Sequence, residues 1–159
     1  VAKENSTGEQ NVCVNRQARH NYFIEETYEA GLMLVGSEVK SLRDGKANLT
    51  DSYARIQKGE AFLVNAHISH YPGANQFNHE PTRTRKLLLH AREIERLTGK
   101  TKERGLTLVP LRLYFKNGKA KVELGLARGK KLYDKRETLR RKVVEREVER
   151  SLRQKNKSR

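Results

Sequence analysis

Alternation of apolar and polar positions is strongest between Leu108 and Ala127. Leu108-Val-Pro-Leu-Arg-Leu-Tyr-Phe-Lys116 and Lys119-Ala-Lys-Val-Glu-Leu-Gly-Leu-Ala127 both run with period two, and Asn117-Gly118 between them supplies the two left-handed residues of a type I′ turn. This pattern predicts a hairpin with Leu111, Leu113 and Phe115 facing Val122, Leu124 and Leu126. Arg112, Tyr114, Lys116, Lys121 and Glu123 are then expected on the opposite side, toward solvent or a ligand. Ala54 to Gln57, Lys58-Gly59 and Ala61 to His67 read as a second hairpin, and Tyr22 to Val35 as an extended run broken near Ala30-Gly31, for about six short strands in all. Three short helices fit between them. One spans Asn15 to His20 with Asn15 as its cap, and one spans Glu38 to Arg43 before Asp44-Gly45. The third spans His90 to Thr98, with Ile94 and Leu97 inward, Arg92 and Arg96 outward, and Gly99 just past its end. The expected class is mainly β, a small closed antiparallel barrel with three helical connectors.

The pattern fades at both ends. Val1 to Gln10 is polar and aperiodic, so residues 1–10 read as a flexible terminus and 11–127 as the folded domain. Charge marks the other boundary. The 159 residues carry 34 Lys+Arg against 19 Asp+Glu, a formal +15, and residues 128–159 hold 14 basic and 5 acidic residues, which is +9 of that surplus. Leu132, Leu139, Val143, Val144, Val148 and Leu152 are too thin a stripe to dock a helix there. Lys142, Arg146, Arg150, Arg153 and Lys157 recur at three- and four-residue steps, as one basic stripe if the segment is helical. The expectation is a basic tail, 128–159, disordered when free and helical against a polyanion.

Such a charge points to nucleic acid rather than lipid, because no long apolar face accompanies it. The longest apolar run, residues 30–36, is too short for a membrane span or a secretory core. The lone Cys13 offers no internal disulfide and, without a partner pair, no zinc framework, so a soluble cytoplasmic protein is expected. His67, His70 and His79 lack completing ligands, so no metal or other cofactor is expected. Glu38-x-Lys40 resembles the end of a nuclease motif but leads into a short helix and turn, so no catalytic residue is assigned and the chain is not read as an enzyme. The basic clusters Arg16 with Arg19, Lys40 with Arg43, and Arg83 with Arg85 and Lys86 are candidate phosphate contacts, and Tyr22, Phe23, Tyr71 and Tyr114 candidate base-stacking platforms.

Five runs carry a closer likeness. They are Asn15-Arg-Gln-Ala-Arg-His-Asn-Tyr-Phe23, Glu29-Ala-Gly-Leu32, Gly36-Ser-Glu-Val-Lys-Ser-Leu-Arg-Asp-Gly-Lys-Ala-Asn48, Glu80-Pro-Thr-Arg-Thr-Arg-Lys-Leu-Leu-Leu89 and Gly129-Lys-Lys-Leu-Tyr-Asp-Lys-Arg136. In this order they closely resemble the tmRNA-binding small protein B family, also called the SsrA-binding proteins. The likeness runs from about Val12 to Arg136, and beyond that only length and basic character correspond.

The resemblance implies a six-stranded barrel of oligonucleotide-binding character with three helices. It also implies a non-catalytic RNA-binding protein that takes the tRNA-like domain of transfer-messenger RNA, alanylated and carried by elongation factor Tu, to ribosomes stalled without a stop codon. A monomer is expected. By the same likeness Asn15, Glu29, Lys86, Leu88 and Lys121 contact that RNA. Glu29 is notable there, since an ionised carboxylate only accepts hydrogen bonds. The tail would stand in for an anticodon arm in the small-subunit decoding centre and follow the empty mRNA channel, through Lys130, Lys131, Asp134, Lys135 and Arg136. Tyr133 replaces a histidine of some relatives: both can stack on a base, but only histidine also titrates near neutrality. Glu80 stands where aspartate is frequent. The competing reading is a ribosomal or general RNA-chaperone barrel without a dedicated RNA partner.

Overall fold

A computed structural model describes residues 8–103 and 105–157, without the side chains of 75–77, 132 and 133. The expectation of a flexible start at residues 1–7 lies outside the described residues. Among the described residues nine strands are formed: β1 (Glu9–Val14), β2 (Tyr22–Leu32), β3 (Ala47–Asn48), β4 (Tyr53–Gln57), β5 (Glu60–Val64), β6 (His67–Ile68), β7 (Arg85–Leu88), β8 (Leu106–Lys116) and β9 (Lys119–Gly129). Four α-helices accompany them: α1 (Arg16–Asn21), α2 (Gly36–Arg43), α3 (Ala91–Thr101) and α4 (Leu132–Lys157).

The β8–β9 hairpin forms in the expected register, Leu113 opposite Val122 and Lys116 opposite Lys119, with Asn117 and Gly118 at φ of 52° and 73°. Lys58 and Gly59 turn the β4–β5 hairpin the same way, at 51° and 73°. All pairings are antiparallel, and the order β8-β4-β5-β7-β2-β9 returns to β8, a ring of six strands. β1 is a seventh strand along the free edge of β8, and β3 pairs only with β6. Leu63, Leu87, Leu108, Leu113, Val122 and Leu124 fill the ring, and Leu42 of α2 and Leu97 of α3 join the same core.

Several local expectations are corrected. β1 starts at Glu9, so Glu9 and Gln10 belong to the sheet. β2 is one unbroken strand through Ala30-Gly31, where Gly31 pairs with both Leu88 and Lys121. The ring reaches six strands because β7, read from sequence as a basic surface cluster, takes the place of the supposed second half of β2. Three of the strands are eleven residues long. Leu111 does not join Leu113, because a bulge between Pro110 and Arg112 turns it to the opposite side, into a second cluster with Ala18, Val109 and Ala127. Gly125 leaves the room: a Cβ there would stand 3.2 Å from Leu111 and 3.3 Å from Ile24. Gly99 lies inside α3, whose last turn continues to Thr101 with the Thr101 hydroxyl bonded to the Leu97 carbonyl at 2.8 Å. Asn15 does not cap α1 with its side chain. Its amide instead donates to the Pro110 carbonyl at 3.0 Å, while its backbone N–H bonds Leu111 at 2.7 Å.

The deepest polar contact joins α2 to β7. Glu38 and Arg85 are both fully buried and directly bonded. Arg85 also donates to the Ala66 carbonyl at 2.7 Å and the Pro81 carbonyl at 3.0 Å, while Glu38 accepts from Arg83 at 2.6 Å and the Val35 N–H at 2.9 Å. Burial pushes the Glu38 carboxyl up, but the bonds from Arg83, Val35 and Arg85 outweigh it and hold it below its ordinary value. Glu38→Gln leaves the Arg85 charge buried and unpaired, so a loss of about 3–5 kcal/mol is expected in urea unfolding. Because the folded-state carboxyl is depressed, its contribution is present above the unfolded pKa and lost as pH falls through the folded one. Parallel acid titrations should show that loss in the parent chain and not in the variant.

Candidate nucleic-acid interface

β2, β7 and β9 bring Glu29, Leu88 and Lys121 to the walls of one cleft of about 320 Å³, with Gly31 at its floor. A Cβ at Gly31 would come within 3.2 Å of the Leu88 Cβ, so the glycine lets Leu88 lie across β2 while half exposed. A neighbouring cavity of about 380 Å³ shares Gly31, Leu88 and Lys121 and adds Leu34, Val39 and Lys119. A third, of about 420 Å³, shares Phe115 and Gly118 with it and reaches Arg43. The result is a groove with apolar residues between the cations Lys119, Lys121 and Arg43 and, at the first cleft, the carboxylates Glu29 and Glu93, able to take a base or ribose with its phosphates at the cationic rim. Lys86 stands two residues before Leu88 on the same face of β7, roughly 7 Å along the strand, and pairs with Glu60 at 3.1 Å. Lys119 was not among the residues expected at the interface, although its alternation with Lys121 on one strand face is visible in sequence.

Glu29 sits in this groove as an anion. The Tyr114 hydroxyl donates to its Oε2 at 2.5 Å and Lys116 Nζ lies 3.3 Å from the same oxygen. The Tyr114 bond, opposed by partial burial and aided by Lys116 and Lys121, holds the carboxyl below its ordinary value. Tyr114 cannot stack on a base as expected from sequence: it is 1% exposed, with the Arg112 guanidinium 3.9 Å from its ring centre.

The other candidates divide. Arg16 and Arg19 are exposed on α1, and Lys40 is exposed on α2 with its ammonium 5.4 Å from the Tyr71 ring. Arg83 is half-buried and spends its charge on Glu38. Arg85 is fully buried and presents nothing to a partner, which corrects its place among the phosphate contacts: on β7 it points inward where Lys86 points out. Asn15 holds α1 to β8, and the same residue borders a surface cavity of about 250 Å³ with Gln17, Tyr22 and Tyr53. His79 is held between the Ser37 hydroxyl and the Ile68 carbonyl, both at 2.8 Å.

At the root of the tail, Lys130 is a joint. Its backbone N–H bonds the Asn21 carbonyl at 2.8 Å. Its ammonium bonds the Arg19 carbonyl and the Thr138 hydroxyl, each at 3.1 Å, and lies 4.9 Å from the Phe23 ring centre. Arg128 approaches the same ring at 5.9 Å. Asp134 accepts from the Lys131 N–H at 3.2 Å, so this acid caps α4 in its first turn. Lys131 and Arg136 are exposed and Lys135 is half-buried, while the Tyr133 side chain lies outside the described residues. Beyond Thr138 every described residue of α4 is exposed, and Glu137–Arg141 and Glu149–Arg153 pair at 2.8 and 2.6 Å.

Comparison with known proteins bears on this surface. The family model described as "SmpB protein" matches residues 12–154. An SsrA-binding protein of Desulforudis audaxviator is 65% identical over 145 residues, 91% of this chain and 95% of its own. Those of Geobacillus thermodenitrificans and Geobacter sulfurreducens are 62% and 61% identical, over 92% and 95% of this chain and 94% and 99% of theirs. A solved chain described as "tmRNA-SmpB: a journey to the center of the bacterial ribosome" is 56% identical. It superposes with a TM-score of 0.65 and covers 76% of this chain and 85% of that one.

The joint at Lys130 is testable without RNA. Phe23→Ala removes the ring under two cations, and each cation–ring attraction is worth about 0.5–1 kcal/mol at an exposed site. Amide exchange over residues 132–138 should accelerate roughly two- to fivefold through the loss of the Lys130 contact, with β8 unchanged.

Proposed function

The chain belongs to the SmpB protein family, and from that premise we propose that it binds the tRNA-like domain of transfer-messenger RNA and serves trans-translation. The observation that carries the RNA reading is the groove where Glu29, Leu88 and Lys121 converge from three strands. Lys86, Lys121 and Arg43 neutralise phosphates, Leu88 supplies an apolar contact to a base or ribose, and Glu29 accepts a hydrogen bond from the RNA. Arg16, Arg19 and Lys40 extend the positive field, and Asn15 acts by fixing α1. No described helix is long and apolar enough to cross a membrane. The ring of strands works as a closed, oligonucleotide-binding barrel in a cytoplasmic monomer that carries no chemistry of its own. It delivers alanylated RNA, borne by elongation factor Tu, to ribosomes stalled without a stop codon.

The tail completes this function. Lys131, Tyr133, Lys135 and Arg136 follow the joint into the decoding centre, and the rest of α4 lies along the empty mRNA channel. The helix beyond Thr138 is the ordered form of the segment, and in this reading the free protein populates it only part of the time. Two i, i+4 ion pairs contribute only about 0.2–0.5 kcal/mol each, and no apolar surface is buried to offset the ordering cost and self-repulsion. Phosphates of the channel supply the missing counter-charge, so ordering reports that no mRNA is present.

Filter binding of a tRNA-like-domain transcript across a salt series tests the groove. Lys121→Ala and Lys86→Ala should each weaken binding and flatten the slope of log K against log salt by about 0.7–0.9. An unchanged slope removes that lysine from the interface, and equal retention of unrelated structured RNA favours a general chaperone. A chain ending at Lys131, which keeps the Lys130 joint, should bind the transcript as the full chain does and fail to rescue stalled ribosomes. Hydrogen exchange on the free full-length chain should be fast over residues 139–153 and slow on the ribosome.

A further inference from the structure

We propose that Tyr114 is a positioning residue for RNA recognition: its buried phenol holds one oxygen of Glu29 and thereby presents the other to a hydrogen-bond donor of the RNA. This rests on the proposed role of Glu29 in meeting RNA. The Tyr114 hydroxyl and the Lys116 ammonium both reach Oε2 of Glu29, and Oε1 takes part in neither bond. Among the described residues no hydrogen bond is seen on Oε1, so the carboxylate is fixed by one oxygen and has the other to accept an N–H or O–H.

The phenol is itself held from behind. Arg112 lies over its ring at 3.9 Å, and the guanidinium is pinned on three sides: by Glu9 at 2.8 Å and Asn11 at 2.8 Å from β1, and by Glu123 at 2.5 Å from β9. Across the sheet Arg112 pairs with Glu123 and Glu123 with Glu29, so two carboxylates stand side by side on neighbouring strands. Like charges so placed repel. Arg112 takes up one of them, and Tyr114, reaching diagonally across β9, takes up the other. Burial pushes the Tyr114 phenol well above its ordinary value and the adjacent Glu29 carboxylate adds to this, so the hydroxyl stays protonated as a donor. A glutamate already fixed in its binding rotamer loses less freedom when RNA arrives, the general advantage of a preorganised contact.

Tyr114→Phe keeps the ring under Arg112 and removes only the hydroxyl. Binding of the full-length chain to a tRNA-like-domain transcript would be measured for the parent, Tyr114→Phe, Glu29→Gln and the double variant, from about pH 3 to 8 to span the ordinary carboxylate range, with a thermal melt of each. The expected result is a folded Tyr114→Phe chain that binds roughly 3- to 10-fold more weakly, and a double variant no weaker than Glu29→Gln alone. Carbon-13 NMR of the Glu29 carboxyl should show its pKa rising toward the ordinary value in Tyr114→Phe. RNA affinity in that variant should therefore begin to fall at a higher pH than in the parent, a shift that Glu29→Gln lacks. Unchanged affinity in Tyr114→Phe while Glu29→Gln weakens binding overturns the positioning role and leaves the RNA reading of Glu29 standing. Losses that simply add in the double variant assign Tyr114 to structure and overturn it as well. If Glu29→Gln binds like the parent, the Glu29 reading falls and the positioning role with it, and a parent chain indifferent to tRNA-like RNA overturns the proposed function itself.

Discussion

The ion pair between Glu38 and Arg85 sets which side chains of β7 face outward. A guanidinium buried at 0% exposure is tolerable only when its N–H groups are met, and here they are met from α2, from the chain between β5 and β6, and from the approach to β7. Those bonds fix the inward face of β7 at Arg85 and Leu87, and by alternation they fix Lys86 and Leu88 outward. A register slip of one residue would bury Lys86 and expose the guanidinium. The cost of the buried pair is thus tied to the geometry of the groove two residues away, and α2, which carries Lys40 and Arg43, is anchored through the same carboxylate.

β8 plays the corresponding part on the other wall. Its bulge at Leu111 divides the strand into two segments: before it Val109 packs toward α1, and after it Leu113 and Phe115 fill the ring. Asn15 binds at that bulge through both its backbone and its side chain. The local irregularity therefore docks α1, and with α1 the Lys130 joint from which the tail departs. A perfectly regular β8 would hold the groove but leave the tail without a fixed origin.

How far the sequence could be read follows from which interactions are local. The β8–β9 hairpin was legible because alternation and an Asn-Gly turn agree within twenty residues, α2 because Asp44-Gly45 marks its end, and α3 because Ile94 and Leu97 share one face. The start of β1 was illegible because its apolar residues begin only at Val12: Glu9 and Asn11 are there for Arg112, a residue about a hundred positions away. β7 was misread because its first residues are Arg and Lys, and composition alone cannot tell a buried arginine from a solvated one. The apolar run Leu87 to Leu89 was the signal available in sequence, and the carboxylate that lets Arg85 be buried lies forty-seven positions earlier. Tyr114 was assigned to the exposed face by the same parity that worked for its neighbours. Parity gave the correct side of the sheet, but it does not report that Arg112 lies over the ring.

Positive charge is used in two physically different ways along this chain. In the ring, Arg85, Arg83 and Arg112 are spent internally, each against a glutamate on another element, and they stabilise the scaffold without adding to its outward field. In α4 the cations beyond Thr138 are exposed, and Arg141 and Arg153 among them pair along the helix with Glu137 and Glu149. Interior charges of the first kind depend little on salt, whereas exposed ones are screened beyond about 8 Å at physiological ionic strength. The scaffold and its groove should therefore keep their shape over the salt range in which attraction of the tail to a polyanion rises and falls. That separation lets one chain combine a scaffold held by internal ion pairs with a helix whose charges answer to the ionic strength around it.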